Sequence, residues 1–346
     1  MTLLYFILVL GVTVLIHELG HFLFAKHFGV YVYEFSIGMG PKLFSFHRKN
    51  DETVYSIRLF PIGGFVSMAG EDMEDENQKI PLDKQLVAKR WYQRFLTIAA
   101  GVLFNFVLAI ILLFVVGCIN GSTTGVSYID SIEPEYPAYE VLQVGDQIVK
   151  VNDTEIHSVD RLSLELQIHH GQEITLTVLG KNGIERIESI TPKVVEVDGV
   201  DTYVYGFTLS SEVEHGFFAS IRYAFTKMFS LLEQMALIIF YLISGKLSLN
   251  SLAGPVGIFN IVGESAKAGF VSLMYLISYL CINVGFINFI PLPAFDGGRL
   301  LFLMIEKMKG SKVKPEIENM IHSIGFILLM ILMVFITYND ILRLIH

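Results

Sequence analysis

Charge is scarce in this 346-residue sequence: Asp, Glu, Lys and Arg make up 17% of it, against about 25% in an ordinary soluble domain. Apolar residues reach 53%, more than one soluble core can bury. That argues against a soluble globular protein and predicts several membrane spans. Basic tracts are missing too. Lys and Arg number 25 against 34 Asp and Glu, a formal net charge of −9, so no nucleic-acid partner is expected. Only two cysteines occur, Cys118 and Cys281, both inside apolar runs. They support neither a disulfide framework nor a zinc knuckle and read as small buried hydrophobes.

What the chain does have is long apolar runs. Residues 3–16 are almost purely apolar, and Phe22-Leu23-Phe24-Ala25 extends them to about 23 residues, enough to span ~30 Å of hydrocarbon. No basic residue precedes Lys26 and no A-x-A pattern closes the run. It therefore reads as a retained transmembrane helix, not a signal peptide. Further spans are expected at about 95–119, 271–293 and 322–338. Residues 217–245 are ambiguous, because hydropathy alone makes them a fifth span. Ten basic residues lie between 26 and 94, Lys79 among them, and Arg299, Lys307, Lys309, Lys312 and Lys314 precede the last run. Both segments should be cytoplasmic. Residues 119–220, with 5 basic and 17 acidic side chains, should then lie outside.

Segment 122–210 has a different texture. Short alternating or β-branched runs, such as Thr175–Leu179 and Val194–Val197, are broken by Gly, Asn and Asp, the pattern of a small β-rich domain. Its stretch from Leu142 through Gly145-Asp146 to Val151-Asn152-Asp153 resembles the turn and strand pattern of a PDZ domain. His157, His169 and His170 are best read as that domain's solvated surface. Residues 31–68 also read as strands: Tyr31–Ile37, Leu43–Phe46 and Val54–Phe60, with a turn at Asn50-Asp51 and Pro61-Ile62-Gly63-Gly64-Phe65-Val66 following. These runs are too apolar for a free loop. They form either a hairpin on the membrane face or a re-entrant β structure lining a cavity, since a sheet enters lipid only with its edge covered.

The chemistry concentrates in His17-Glu18-Leu19-Gly20-His21. On a helix, positions i and i+4 lie about 40° apart, so both imidazoles face one metal with the glutamate beside it. Ionisable residues inside an apolar span are costly and usually mark function. Catalytic zinc takes three protein ligands and leaves a position open. The third ligand should be a carboxylate or histidine at matching depth on another helix. Asn288-Phe289-Ile290-Pro291-Leu292-Pro293-Ala294-Phe295-Asp296-Gly297-Gly298 offers Asp296, where proline and glycine break the third span and let the carboxylate turn inward.

H-E-x-x-H in the first span, N-x-x-P-x-x-x-x-D-G in a later one and a PDZ-like segment between them together resemble the site-2 protease family. The likeness is closest to bacterial regulated-intramembrane-proteolysis metalloproteases of the sigma-E-protease type. Gly63-Gly64-Phe65-Val66, Ala100-Gly101 with Asn105-Phe106, Leu252–Gly257 and Asn283 with Asn288 also match. The chain departs in having one PDZ-like segment where some members have two, and Phe295 where Leu is commoner.

The resemblance implies a polytopic α-helical membrane protein with four transmembrane helices, a membrane-associated β-hairpin region and an extracytoplasmic PDZ domain. Its parts would be an N-terminal membrane domain (1–118), the PDZ domain (122–210), an outer-face amphipathic helix and linker (215–270) and a C-terminal membrane domain (271–346). His17, His21 and Asp296 would hold Zn2+ and Glu18 would be the general base. Gly63, Gly64, Phe65 and Val66 would capture an extended substrate by β-addition, with Asn283, Asn288 and Pro291 beside it; Asn283 and Asn288 read equally well as interhelical hydrogen-bonding residues. Ala99-Ala100-Gly101 is expected only to permit close packing. Substrates would be single-span membrane proteins, such as anti-sigma-factor-like regulators or remnant signal peptides, cut in the bacterial cytoplasmic membrane near its cytoplasmic side. The PDZ domain would bind a new carboxyl terminus or act as a size filter. A catalytically silent PDZ scaffold is the competing reading, opposed by the intact His17, Glu18, His21 and Asp296. A metal transporter is the weaker third, since no inverted repeat is visible.

Overall fold

In the computed structural model the described residues are 1–49, 51–71, 80–169, 171–197 and 200–345. The expectations placed on Asn50, Lys79 and His170 fall outside them. The chain divides into two compact units, Met1–Leu112 with Ala253–Asp340 and Leu113–Leu252 with Ile341–His346.

The apolar runs fold as helices, as a segment with no water to bond its backbone must. In chain order these include α1 (Thr2–His27) and α2 (Trp91–Asn120). Past the β-rich segment come α5 (Phe217–Ile243), α6 (Pro255–Ala268), α7 (Phe270–Phe289), α8 (Asp296–Lys309) and α9 (Pro315–Ile345). Five of them, α1, α2, α5, α7 and α9, are long and apolar enough to cross a membrane. Three findings differ from the sequence reading. The connection between the last two spans contains α8, and the expected linker before residue 270 contains α6, which packs on α1 and α7. Cys281 is buried as expected, but Cys118 is exposed. It sits in the last turn of α2 beside Ile119, which is exposed as well.

Behind α1 come β1 (Val32–His47) and β2 (Val54–Met68). Both run unbroken, β1 through Gly38–Pro41 and β2 through Pro61, where the sequence suggested separate pieces. Their register is doubled. Glu34 is partnered with both Val54 and Ser67, and Ile37 with both Ile57 and Gly64, while Phe44 and His47 take Ile57 and Val54. Among the described residues the segment from Gly64 to Met68 therefore has the first half of β1 as its one strand partner. Phe22 and Ala25 of α1 pack in one cluster with Val30, Val32, Phe35, Val66, Met68 and Leu86. At ~1.5–3 kcal/mol per large buried side chain, this clamps the hairpin to the helix that carries H-E-x-x-H.

The second unit holds β3 (Ser122–Ile132), α3 (Ala138–Val141), β4 (Gln147–Val151), β5 (Thr154–Glu155), α4 (Val159–Ile168), β6 (Ile174–Leu179), β7 (Glu185–Ile190), β8 (Lys193–Val197), β9 (Val200–Val204) and β10 (Phe207–Glu214). An antiparallel sheet runs β5-β4-β6-β7, and β10 pairs with β3 and β8 with β9. Ile174, Leu176 and Val178 alternate inward along β6, the period-2 pattern of a half-buried strand. They join Ile129, Leu142, Ile148 and Leu162 in one core. Asp146 accepts from the Gln143 backbone N–H at 2.9 Å and pairs with Arg186, fixing the turn before β4. His157 is exposed beside Glu155, and His169 lies 3.3 Å from the Asn152 side chain.

Helix α5 docks on α4 through polar side chains. Lys227 reaches both Asp160 oxygens at 2.7 and 2.8 Å, Ser230 donates to Asp160 at 2.7 Å, and Tyr241 donates to the buried Glu165 at 2.7 Å. Arg161 stands 3.1 Å from Glu165 and 3.5 Å from Glu233. The opposite side of α5 exposes Phe218, Phe225, Phe229 and Phe240.

Candidate active site

His17 and His21 are buried on the C-terminal half of α1. Their Nε2 atoms are 3.2 Å apart. Asp296 reaches them from the first turn of α8, its Oδ2 lying 3.1 Å from His17 Nε2 and 3.2 Å from His21 Nε2. The carboxylate arrives there because α7 ends at Phe289 and the chain folds back on itself. A β-carbon at Gly297 would stand 2.1 Å from the Ile290 carbonyl oxygen, so no larger residue fits that return.

Three ligand atoms at 3.1–3.2 Å from one another match the separation of about 3.3 Å that tetrahedral bonds of ~2.0–2.1 Å require. Two further observations agree with a metal at their centre. Asp296 Oδ2 is buried without a hydrogen-bond partner among the described residues, although two ring nitrogens lie beside it. His21 Nδ1 lies 2.9 Å from the Thr97 carbonyl oxygen. A carbonyl can only accept, so the His21 proton sits on Nδ1 and the Nε2 lone pair faces Asp296 and His17, the usual arrangement of a ligating histidine. Together the three residues form the one cluster of metal-ligating groups found among the described residues.

Helix α2 supplies the back wall, with Thr97, Gly101 and Asn105 on one face at four-residue spacing. A β-carbon at Gly101 would meet His21 Nε2 at 2.4 Å and His17 Cε1 at 2.8 Å. Asn105, fully buried, places its side-chain amide 3.4 Å from His17 Nδ1. The sequence reading gave Gly101 a packing role only and assigned none to Thr97 or Asn105. Their spacing was the signal, since i, i+4, i+8 marks one helix face as surely as H-E-x-x-H does.

Glu18 is half-buried next to this centre, and a β-carbon on Gly64 would come 3.7 Å from its Cγ. The segment holding Gly63, Gly64, Phe65 and Val66 thus runs past Glu18, with Val66 buried and the Phe65 ring 4.9 Å from the Arg58 guanidinium carbon. Asn283 and Asn288 lie half-buried on α7, and Pro291 is exposed in the break that follows.

Deeper in the hairpin, Glu34 accepts from Ser56 at 2.5 Å and pairs with Arg58 at 2.8 Å and Lys42 at 2.7 Å. Burial alone would raise its carboxyl, but Lys42, Ser56 and Arg58 outweigh that and hold it below the usual range.

Two imidazoles and a carboxylate converge between apolar helices, with a glutamate next to the first imidazole, a donor set that could hold a metal ion in the manner of a metallopeptidase. The chain belongs to peptidase family M50, whose model matches residues 5–332. It is similar to the zinc metalloprotease RasP of Bacillus licheniformis, 32% identical over 99% of both chains. A zinc metalloprotease RasP of Geobacillus kaustophilus is also 32% identical, over 97% of this chain and 96% of its own. The regulator of sigma-W protease RasP of Bacillus subtilis is 31% identical over 99% of both. Family membership makes the protein a membrane-embedded zinc metalloprotease.

Proposed function

We propose that the protein hydrolyses peptide bonds within the transmembrane segments of single-span proteins after a prior extracytoplasmic cut. Anti-sigma-factor-like regulators and remnant signal peptides are the substrate class. The observation that carries this reading is the approach of His17, His21 and Asp296 to within 3.2 Å between helices apolar enough to span a bilayer. Nε2 of both histidines and the Asp296 carboxylate would hold zinc. There it would supply Lewis-acid polarisation of the scissile carbonyl and make water more acidic. Glu18 is the general base, its carboxylate taking a proton from the attacking water and passing it to the departing nitrogen.

A helical substrate hides its carbonyls in its own hydrogen bonds, so it must unwind before cleavage. Gly63–Val66 pass Glu18, and among the described residues Gly64–Val66 pair with β1 alone, which supports β-addition of the unwound segment along them. Asn283, Asn288 and Pro291 are assigned to the same substrate path.

The reading has four spans, α1, α2, α7 and α9, with the centre near the cytoplasmic side. Parity supports this count. His17 lies on the C-terminal half of α1, and Asp296 follows the C-terminal end of α7; for them to meet, both helices must cross in the same direction. A crossing by α5 would reverse α7. The polar docking of α5 along α4 also supports an outer-face position, with Phe218, Phe225, Phe229 and Phe240 toward lipid. Residues 122–210 are read as the extracytoplasmic PDZ domain, and the resemblance favours its action as a size filter.

The test is reconstitution with a single-span reporter bearing a short outer tail. Cleavage inside the span by wild type, but not by Glu18→Gln or after zinc chelation, is expected. Equal cleavage by Glu18→Gln would overturn the assignment of the base. A zinc-loaded wild type inactive on several such reporters would favour the scaffold.

A further inference from the structure

The carboxylate that completes the metal group is carried on a strained piece of backbone. Ala294, two residues before Asp296, has φ +74°, and among the described residues only it and Asn152 adopt positive φ without being glycine. An alanine in this region persists only where its surroundings impose the conformation. The imposing contact comes from α9. His322 Nδ1 accepts the Ala294 backbone N–H at 3.0 Å.

That bond fixes the tautomer of His322. With Nδ1 accepting, the ring proton of the neutral imidazole is on Nε2, and Nε2 is buried with no hydrogen-bond partner among the described residues. A buried N–H left unpaired is destabilising, so the ring is held against its own polar preference. Packing holds it there. The ring centroid lies 5.8 Å from that of Phe302, and a β-carbon at Gly298 would stand 3.1 Å from His322 Cε1. Behind it, a β-carbon at Gly325, one turn further along α9, would stand 2.3 Å from Pro293 Cβ. Helix α9 thus grips the Pro293–Ala294 bend by side-chain and backbone contact alike.

We propose that His322 is a positioning residue for zinc: by accepting the Ala294 N–H it holds the left-handed turn that aims Asp296 at His17 and His21. Among the described residues it hydrogen-bonds Ala294 and none of the metal-ligating side chains, so its effect is on how tightly the metal is kept. Positioning groups one step removed from a ligand typically govern metal affinity by about 10–100-fold. The proposal rests on the reading of Asp296 as a ligand.

The test measures zinc loss from the full-length protein in nanodiscs to a chromogenic chelator, for wild type, His322→Ala, His322→Asn, Ala294→Gly, the His322→Ala/Ala294→Gly pair and Asp296→Ala. His322→Ala should release zinc at least about tenfold faster, and His322→Asn, which keeps an acceptor, should recover much of the retention. Glycine enters the left-handed region freely, so Ala294→Gly should make the protein indifferent to His322→Ala. Retention by His322→Ala equal to wild type overturns the proposal. So does an undiminished effect of His322→Ala in the Ala294→Gly background. If His322→Ala fails to fold, release from His322→Asn and from the double variant decides, both being expected near wild type and both fast if the proposal is wrong. Wild-type retention by Asp296→Ala would instead sink the ligand reading beneath it.

Discussion

Gly101 and His21 occupy adjoining space that leaves no room for a side chain: a β-carbon on residue 101 would lie 2.4 Å from the imidazole Nε2. The same carbon would meet the His17 ring at 2.8 Å. Both rings are buried and His21 is tethered to Thr97, so neither can give way without leaving the metal group. Gly101→Ala should therefore abolish zinc retention and cleavage together. Metal analysis of the purified variant checks this; one zinc per chain would refute it.

The polar seam between α4 and α5 yields a second prediction. The four-span reading expects α5 to stay outside the bilayer, with Lys227, Ser230, Glu233 and Tyr241 set against Asp160, Arg161 and Glu165 of the β-rich unit. Single cysteines placed at Ser230 and Glu233, in a Cys118→Ala/Cys281→Ala background, should be labelled by a membrane-impermeant maleimide from the outside once Asp160→Ala loosens the seam. Labelling from the cytoplasmic side at either position would return α5 to the count of spans.

The convergence of His17, His21 and Asp296 was legible in the sequence because each of its parts is local. H-E-x-x-H needs only a helix to bring its rings together, and the Pro-Leu-Pro-Ala-Phe-Asp-Gly-Gly run announces its own break. The support around it was not legible for the opposite reason. Thr97 contributes a backbone carbonyl, which no side-chain pattern reports, and His322 acts 26 residues downstream of Asp296 through the N–H of an unremarkable alanine. The doubled register of β1 and β2 was hidden too. Alternation shows that a strand exists, and says nothing of which two partners Ile37 will take. Cys118 was misread because an apolar run does not say which of its side chains other protein segments will cover.

Acid should loosen the hairpin before it unfolds the helices. Glu34 is held below the usual carboxylate range by Lys42, Ser56 and Arg58, against the opposing effect of burial. A carboxyl depressed on folding contributes stability above its unfolded pKa of ~4.3, and that contribution is lost as pH falls through the folded value. Asp51, depressed chiefly by its hydrogen bond from Lys26, acts in the same direction. Glu34→Gln should therefore be less stable than wild type at pH 7, with the gap closing as pH drops below about 4. Thermal melts of both proteins across pH 3–7 measure it, and a gap that widens on acidification would contradict the assignment.

Asn105 should hold His17 as Thr97 holds His21. When His17 Nε2 offers its lone pair to the metal, Nδ1 bears the proton and requires an acceptor. Among the described residues the Asn105 amide lies 3.4 Å from that nitrogen, and its Oδ1 is otherwise buried without a partner. Turning the amide by 180° brings Oδ1 to Nδ1–H and satisfies both groups, since an amide's oxygen and nitrogen exchange places in that rotation. Asn105→Leu, similar in volume but with no acceptor, should weaken zinc binding by about 10–100-fold. Asn105→Asp, which can only accept when ionised, should restore retention. Nitrogen NMR of labelled histidine gives a separate reading, with the His17 Nδ1 signal in its protonated range in the zinc-loaded wild type. If Asn105→Leu holds zinc as tightly as wild type, the His17 tautomer is set by some other acceptor.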